Sequence, residues 1–147
     1  MMKSAIFTEK GVIGCFEVDM PSKNASEVLV HTLRSSICGS DLHVGYYGWG
    51  VDTFPLPPGS PGHESVCEVV DGRGTNYSEG QLVLAVPIIS EAKSFSEYQV
   101  IPEKQLLMID KDSESLSNDY VIMRIDHFLI AAKKMTKTDM LQWCGYD

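Results

Sequence analysis

The chain has 147 residues, the length of one ordinary domain, with 12 basic and 20 acidic residues and a net charge of −8. That balance leaves no basic stripe for nucleic acid or an anionic lipid surface, and a content of 44% hydrophobic and 22% charged residues suits a folded core rather than a disordered tail. No apolar run approaches the ~20 residues that span a bilayer as a helix, and the opening Met1-Met2-Lys3-Ser4-Ala5-Ile6-Phe7 is too short in its apolar part for a secretion signal, so a soluble, cytoplasmic protein is expected.

The first hundred or so residues read as short strands divided by turns. Residues 3–7 and 15–18 form the first two, on either side of Gly11. A polar loop over 20–24 leads into 27–33, which is rich in β-branched residues and leucine. Residues 65–70 form the next strand, closed by the turn signal Asp71-Gly72. Residues 81–86 are almost continuously apolar, as in a strand buried on both faces. Residues 95–101 and 106–109 complete the set, which predicts a mainly β barrel or sandwich.

After Asp112 the pattern changes. Ser115 or Ser117 can cap a helix, and Val121, Ile125, Phe128 and Ala132 recur at helical spacing, with Ile122 and Leu129 widening the stripe. Lys133 and Lys134 would complement the negative end of its dipole. The expected organisation is a β domain over residues 1–112 followed by a C-terminal α-helix and tail over 113–147. An apolar stripe of Val121, Ile125 and Phe128 would need either the barrel or a second copy of the chain to cover it, the second being a homo-oligomer.

Four cysteines, Cys15, Cys38, Cys67 and Cys144, are scattered with no close pair. That spacing fits neither a disulfide scaffold nor a C-x-x-C redox or zinc-knuckle motif. The chemistry is concentrated in two strings instead. Cys38-Gly39-Ser40-Asp41-Leu42-His43 brings a thiol, a hydroxyl, a carboxylate and an imidazole into one short segment after a strand. Pro58-Gly59-Ser60-Pro61-Gly62-His63-Glu64 is a sharp turn that delivers an imidazole and a carboxylate to the mouth of the next strand. Cys, His and Glu are all competent zinc ligands, and a catalytic zinc takes three protein ligands and keeps an open position. Taken singly, each has a plainer reading: Cys38 as a small buried hydrophobe, His63 as a hydrogen-bonded turn histidine, Asp41 as a turn or cap residue.

Together the strings resemble the zinc-dependent medium-chain alcohol dehydrogenase family, in its N-terminal GroES-like catalytic domain. That family carries C-x-S/T-D-x-H followed by G-H-E, matched here by Cys38 to His43 and by Gly62-His63-Glu64. Gly80-Gln81-Leu82-Val83 resembles the family's G-D-x-V, and Phe95-Ser96-Glu97-Tyr98 its F-A-E-Y. The resemblance implies a GroES-like β-barrel with Cys38, His63 and Glu64 as zinc ligands and Asp41 as the carboxylate orienting an imidazole ligand, most simply His63. It implies that Ser40 accepts the proton of the alcohol and that His43 passes it towards solvent. The substrate would be a small-molecule alcohol or carbonyl, with zinc as Lewis acid and NAD(P) exchanging the hydride in the full-length enzyme.

The chain also departs from that family. Many members carry a structural zinc lobe of clustered cysteines between the G-D-x-V and F-A-E-Y segments, whereas residues 86–94 contain no cysteine, so one catalytic zinc and no structural zinc is expected. A further ligand from the following helix is open: Asp126 is a candidate, and a solvated helix-face carboxylate is the alternative. No G-x-G-x-x-G marks a nucleotide site; Gly72-Arg73-Gly74 has Tyr77 at the third glycine position and reads as a turn. The expectation is therefore the metal-bearing part of an alcohol or polyol dehydrogenase, truncated and inactive alone, with a non-catalytic zinc-binding GroES-like interaction module as the alternative. Tyr46, Tyr47, Trp49 and Phe54 either line a substrate cleft or pack their loop onto the barrel.

Overall fold

A computed structural model describes residues 1–88 and 91–109, together with the strands Tyr120–Ile125 and Phe128–Lys133. The chain divides into two compact units, Met1–Ile109 and Asp110–Asp147. In the first, β1 (Met2–Glu9) and β2 (Val12–Val18) form an antiparallel hairpin around Gly11. β3 (Glu27–Ser35), β4 (Ser65–Asp71), β5 (Leu82–Ala85), β6 (Tyr98–Pro102) and β7 (Leu106–Met108) form a second sheet in the order β6-β3-β4-β5-β7. This curled half-barrel is the expected mainly β, GroES-like architecture. The hairpin joins it where Ala5 N–H donates to Phe95 O at 2.9 Å and Ser4 bridges to Ser96.

The core follows from alternation along the strands. Val28 and Val30 of β3, Cys67 and Val69 of β4, Val83 and Ala85 of β5, Ile101 of β6 and Leu106 of β7 form one buried cluster. Each fully buried aliphatic side chain of this kind contributes about 1.5–3 kcal/mol. Leu82 to Ala85 are at most partly exposed, as the apolar run predicted.

One polar side chain sits among them. Gln99 is 1% exposed, and its Nε2 donates to Thr32 Oγ1 at 3.0 Å and Ser65 Oγ at 2.9 Å. It therefore ties β6 to β3 and β4 beside the residue that follows Glu64. The β3–β4 register shifts between Thr32 and Arg34, and such an irregularity bends and twists a strand just before it delivers residues 35–38.

The second unit corrects the expected C-terminal α-helix. Tyr120–Ile125 (β8) and Phe128–Lys133 (β9) are antiparallel strands, with Ile125 opposite Phe128 and Tyr120 opposite Lys133. Val121, Ile122, Ile125 and Ile130 are β-branched and Tyr120 and Phe128 aromatic, the types that favour strands. The helical stripe on which the homo-oligomer expectation rested is absent in that form. Ser115, Ser117, Asp126 and Cys144 lie outside the described residues.

Candidate metal centre

Two loops meet at one end of the β3–β4 pair. After β3 the chain runs through Cys38 into a short helical turn, α1 (Gly39–Asp41), and on into a widened turn over Leu42–Tyr46. Before β4 the turn at 58–62 delivers His63 and Glu64. That turn is seated on β1 and on residues 93–96: Gly59 N–H donates to Ala5 O, Phe95 N–H to Gly59 O and Ser94 N–H to Gly62 O. Two glycines are required there. Gly59 has φ +80 and any Cβ on it would strike Ser96 Oγ and the Lys93 backbone; a Cβ on Gly62 would strike Ser94 Oγ and the Phe95 ring.

The ligand atoms of Cys38, His63 and Glu64 all lie within 4.8 Å of one another. His63 is 4% exposed and Glu64 7%. His63 Nδ1–H donates to Asp41 Oδ1 at 2.9 Å and contacts Pro61 O at 3.3 Å. Its Nε2 therefore faces the cluster, 3.4 Å from Ser40 Oγ and 3.9 Å from Glu64 Oε1. Asp41 is 2% exposed and its other oxygen, Oδ2, accepts the backbone N–H of Cys38 at 2.8 Å. One buried carboxylate thus holds both the imidazole and the main chain of the thiol residue. A soft thiolate, an imidazole whose far nitrogen is anchored by a carboxylate, and a carboxylate oxygen converging on one point form a donor set that fits zinc.

The electrostatics agree with the geometry. A hydrogen bond from His63 is the main cause holding the Cys38 thiol below its ordinary pKa, against partial burial. Burial works against a charged His63, but the bonds to Asp41 and Cys38 outweigh it and raise the ring to about 10. Cys67 is the contrast: burial pushes its thiol up to about 11, as expected of an inert core cysteine.

A metal ion needs the deprotonated donors, so its binding must expel the proton that Cys38 and His63 hold. Zinc affinity is therefore expected to weaken by about tenfold for each pH unit of acidification per displaced proton, below the His63 pKa. Competition titrations at several pH values check this, and a pH-independent affinity contradicts it. Asp41→Asn supplies an acceptor for Cys38 N–H or for His63 Nδ1–H but not both. Its zinc affinity is expected to fall about 10–100-fold; a chelator competition giving the wild-type constant would count against this role of Asp41.

His43 stands apart from this cluster. It lies in the Leu42–Tyr46 turn with its ring edge-on to Trp49 at 5.6 Å and to Tyr47 at 6.1 Å, and among the described residues no hydrogen bond joins it to Ser40. Tyr46, Tyr47 and Trp49 are 54%, 61% and 73% exposed, and the Tyr46 ring lies beside Gly11 of the β1–β2 turn. The sequence marked Phe95 and Ser96 only as part of a strand and of a family-like string, not as a seat for the turn, and offered no signal for Ser94 or for Ser36, whose hydroxyl donates to Glu64 Oε2 at 2.6 Å. Among the described residues no helix is long and apolar enough to cross a membrane.

Comparison with known proteins places this geometry in a family. Residues 24–111 match the family model of the alcohol dehydrogenase GroES-like domain. The chain belongs to the zinc-dependent medium-chain dehydrogenase family through that domain. It is 34% identical over 102 residues to an L-threonine 3-dehydrogenase of Pyrococcus furiosus, covering 65% of this chain and 29% of the relative. It is 39% identical over 85 residues to an alcohol dehydrogenase of a Moraxella species, covering 56% of this chain and 25% of the relative. Among solved structures, 2R,3R-butanediol dehydrogenase from Bacillus subtilis superposes with a TM-score of 0.64 at 25% identity, over 76% of this chain and 41% of that one. The chain thus spans only about a quarter to three-tenths of the length of these two curated relatives.

Proposed function

We propose that these 147 residues are the metal-bearing catalytic part of an alcohol or polyol dehydrogenase, with Cys38, His63 and Glu64 as ligands of a single zinc ion. The observation that carries this reading is the convergence of their three donor atoms within 4.8 Å, backed by Asp41 on the far nitrogen of His63. Bound there, zinc supplies the Lewis acidity that lets an alcohol lose its proton near neutral pH.

The chain's own residues have the remaining roles. Asp41 fixes the tautomer and direction of His63, and through the Cys38 main chain it fixes the thiol beside it. Ser40, with Oγ 3.4 Å from His63 Nε2, accepts the proton leaving the substrate hydroxyl. His43, three residues along the same helical run and partly exposed, takes the proton on to solvent through an intervening group, since no hydrogen bond among the described residues joins it to Ser40. The substrate is a small-molecule alcohol, oxidised to a carbonyl as its hydride passes to NAD(P), or the reverse. The nucleotide site is contributed by residues outside these, since no glycine-rich nucleotide fingerprint occurs in them.

Purified as this chain, the protein is expected to hold about one zinc ion, to retain no NAD(P) in equilibrium dialysis and to oxidise no alcohol by itself. Absence of zinc would overturn the ligand assignment. Turnover by a chain verified at this length would overturn the placement of the nucleotide site.

A further inference from the structure

Glu64 is gripped by the corner where β3 ends. Ser36 N–H donates to Glu64 O at 3.1 Å, and Ser35 Oγ donates to the same carbonyl at 3.1 Å. The Ser36 hydroxyl then donates to Glu64 Oε2 at 2.6 Å, the short distance of a charge-assisted O–H···O⁻ bond. Among the described residues it is the one side-chain hydroxyl bonded to that carboxylate. The carboxylate itself is 8% exposed, so water does little to solvate it, and its other oxygen, Oε1, lies 3.9 Å from His63 Nε2. The two oxygens thus have different surroundings: one is committed to Ser36, just past the end of β3, the other faces the Cys38/His63 cluster.

We propose that Ser36 is a positioning residue of the metal site, holding Glu64 so that it presents Oε1 alone to a bound zinc ion. The inference rests on the reading of Cys38, His63 and Glu64 as zinc ligands. Without the serine hydroxyl, a buried carboxylate loses its partner and can rotate about its last torsion, or turn both oxygens to the same side. With it, the donor is already placed before the metal arrives, and little side-chain freedom is lost on binding. The grip on the Glu64 carbonyl by Ser35 Oγ and Ser36 N–H keeps the hydroxyl aligned, because the main chains on both sides of the contact are tied together.

The test is a set of zinc affinities, measured by chelator competition on the full chain and on Ser36→Ala, Ser36→Thr, Glu64→Gln and the Ser36→Ala/Glu64→Gln double variant. Ser36→Ala is expected to bind zinc about tenfold or more weakly than wild type, and Ser36→Thr, which keeps the hydroxyl, to bind as wild type does. In the Glu64→Gln background the serine change is expected to add nothing, because the charged partner is already gone. Two results overturn the proposal while leaving the ligand reading intact: a wild-type affinity for Ser36→Ala, or the same loss from Ser36→Ala with and without Glu64. A wild-type chain that binds no zinc overturns the ligand reading itself and the role of Ser36 with it.

Discussion

Cys38→Ala is expected to abolish zinc binding by this chain at concentrations where the wild type is saturated. The thiolate is the softest donor of the three, and the hydrogen bond from His63 is the main cause that holds the Cys38 thiol below its ordinary pKa. Its removal leaves an imidazole and one carboxylate, a donor pair short of the three protein ligands that a catalytic zinc takes. The loss should exceed the roughly 10–100-fold that a change behind the ligands costs. The fold is expected to survive, because Cys38 lies outside the buried cluster that joins the strands. Metal content after gel filtration, with circular dichroism as the control, checks both halves. Zinc retained by a folded Cys38→Ala protein would place the site elsewhere.

The second large effect is on stability. Ile101→Ala should destabilise the first unit by about 2–5 kcal/mol, the loss of transfer energy plus the cavity left where the surroundings cannot close in. Ile101 is 2% exposed, pairs with Val28 across β3–β6 and belongs to the cluster that spans all five strands of the sheet. Against a total of about 5–15 kcal/mol for a domain, that loss is a large part of what holds β3 and β4 together. Those strands carry the two loops of the metal centre, so zinc affinity should fall with fold stability and be restored at lower temperature. Urea unfolding with circular dichroism measures the change, and an unaltered midpoint would contradict the assigned core.

The site was legible in the sequence to the extent that its chemistry is local. Cys38, Ser40 and Asp41 stand within one turn, and His63 and Glu64 are adjacent, so two short strings carried all three donors and the carboxylate behind His63. What joins the strings is long-range and left no pattern. Ser36 meets Glu64 across a sequence separation of 28 residues, and Ser94 and Phe95 matter because they leave no space beside Gly62. Serines have no periodicity to reveal such contacts. Most strands were visible from β-branched runs and turn signals, with ends displaced by a few residues. The error came at 120–133, where apolar spacing fitted a helix while residue type favoured strands. In Tyr120-Val121-Ile122-Met123-Arg124-Ile125 the β-branched and aromatic content was the better guide than the period, which is ambiguous over so short a stretch.

Family membership and site geometry meet in one claim, that Cys38, His63 and Glu64 bind a single zinc ion. Crystals of the zinc-soaked chain, with anomalous difference maps recorded on either side of the zinc edge, test it most directly. One zinc peak is expected within bonding distance of Cys38 Sγ, His63 Nε2 and a Glu64 oxygen, with Asp41 still on His63 Nδ1. No peak there, or a zinc peak held by other residues, would contradict it.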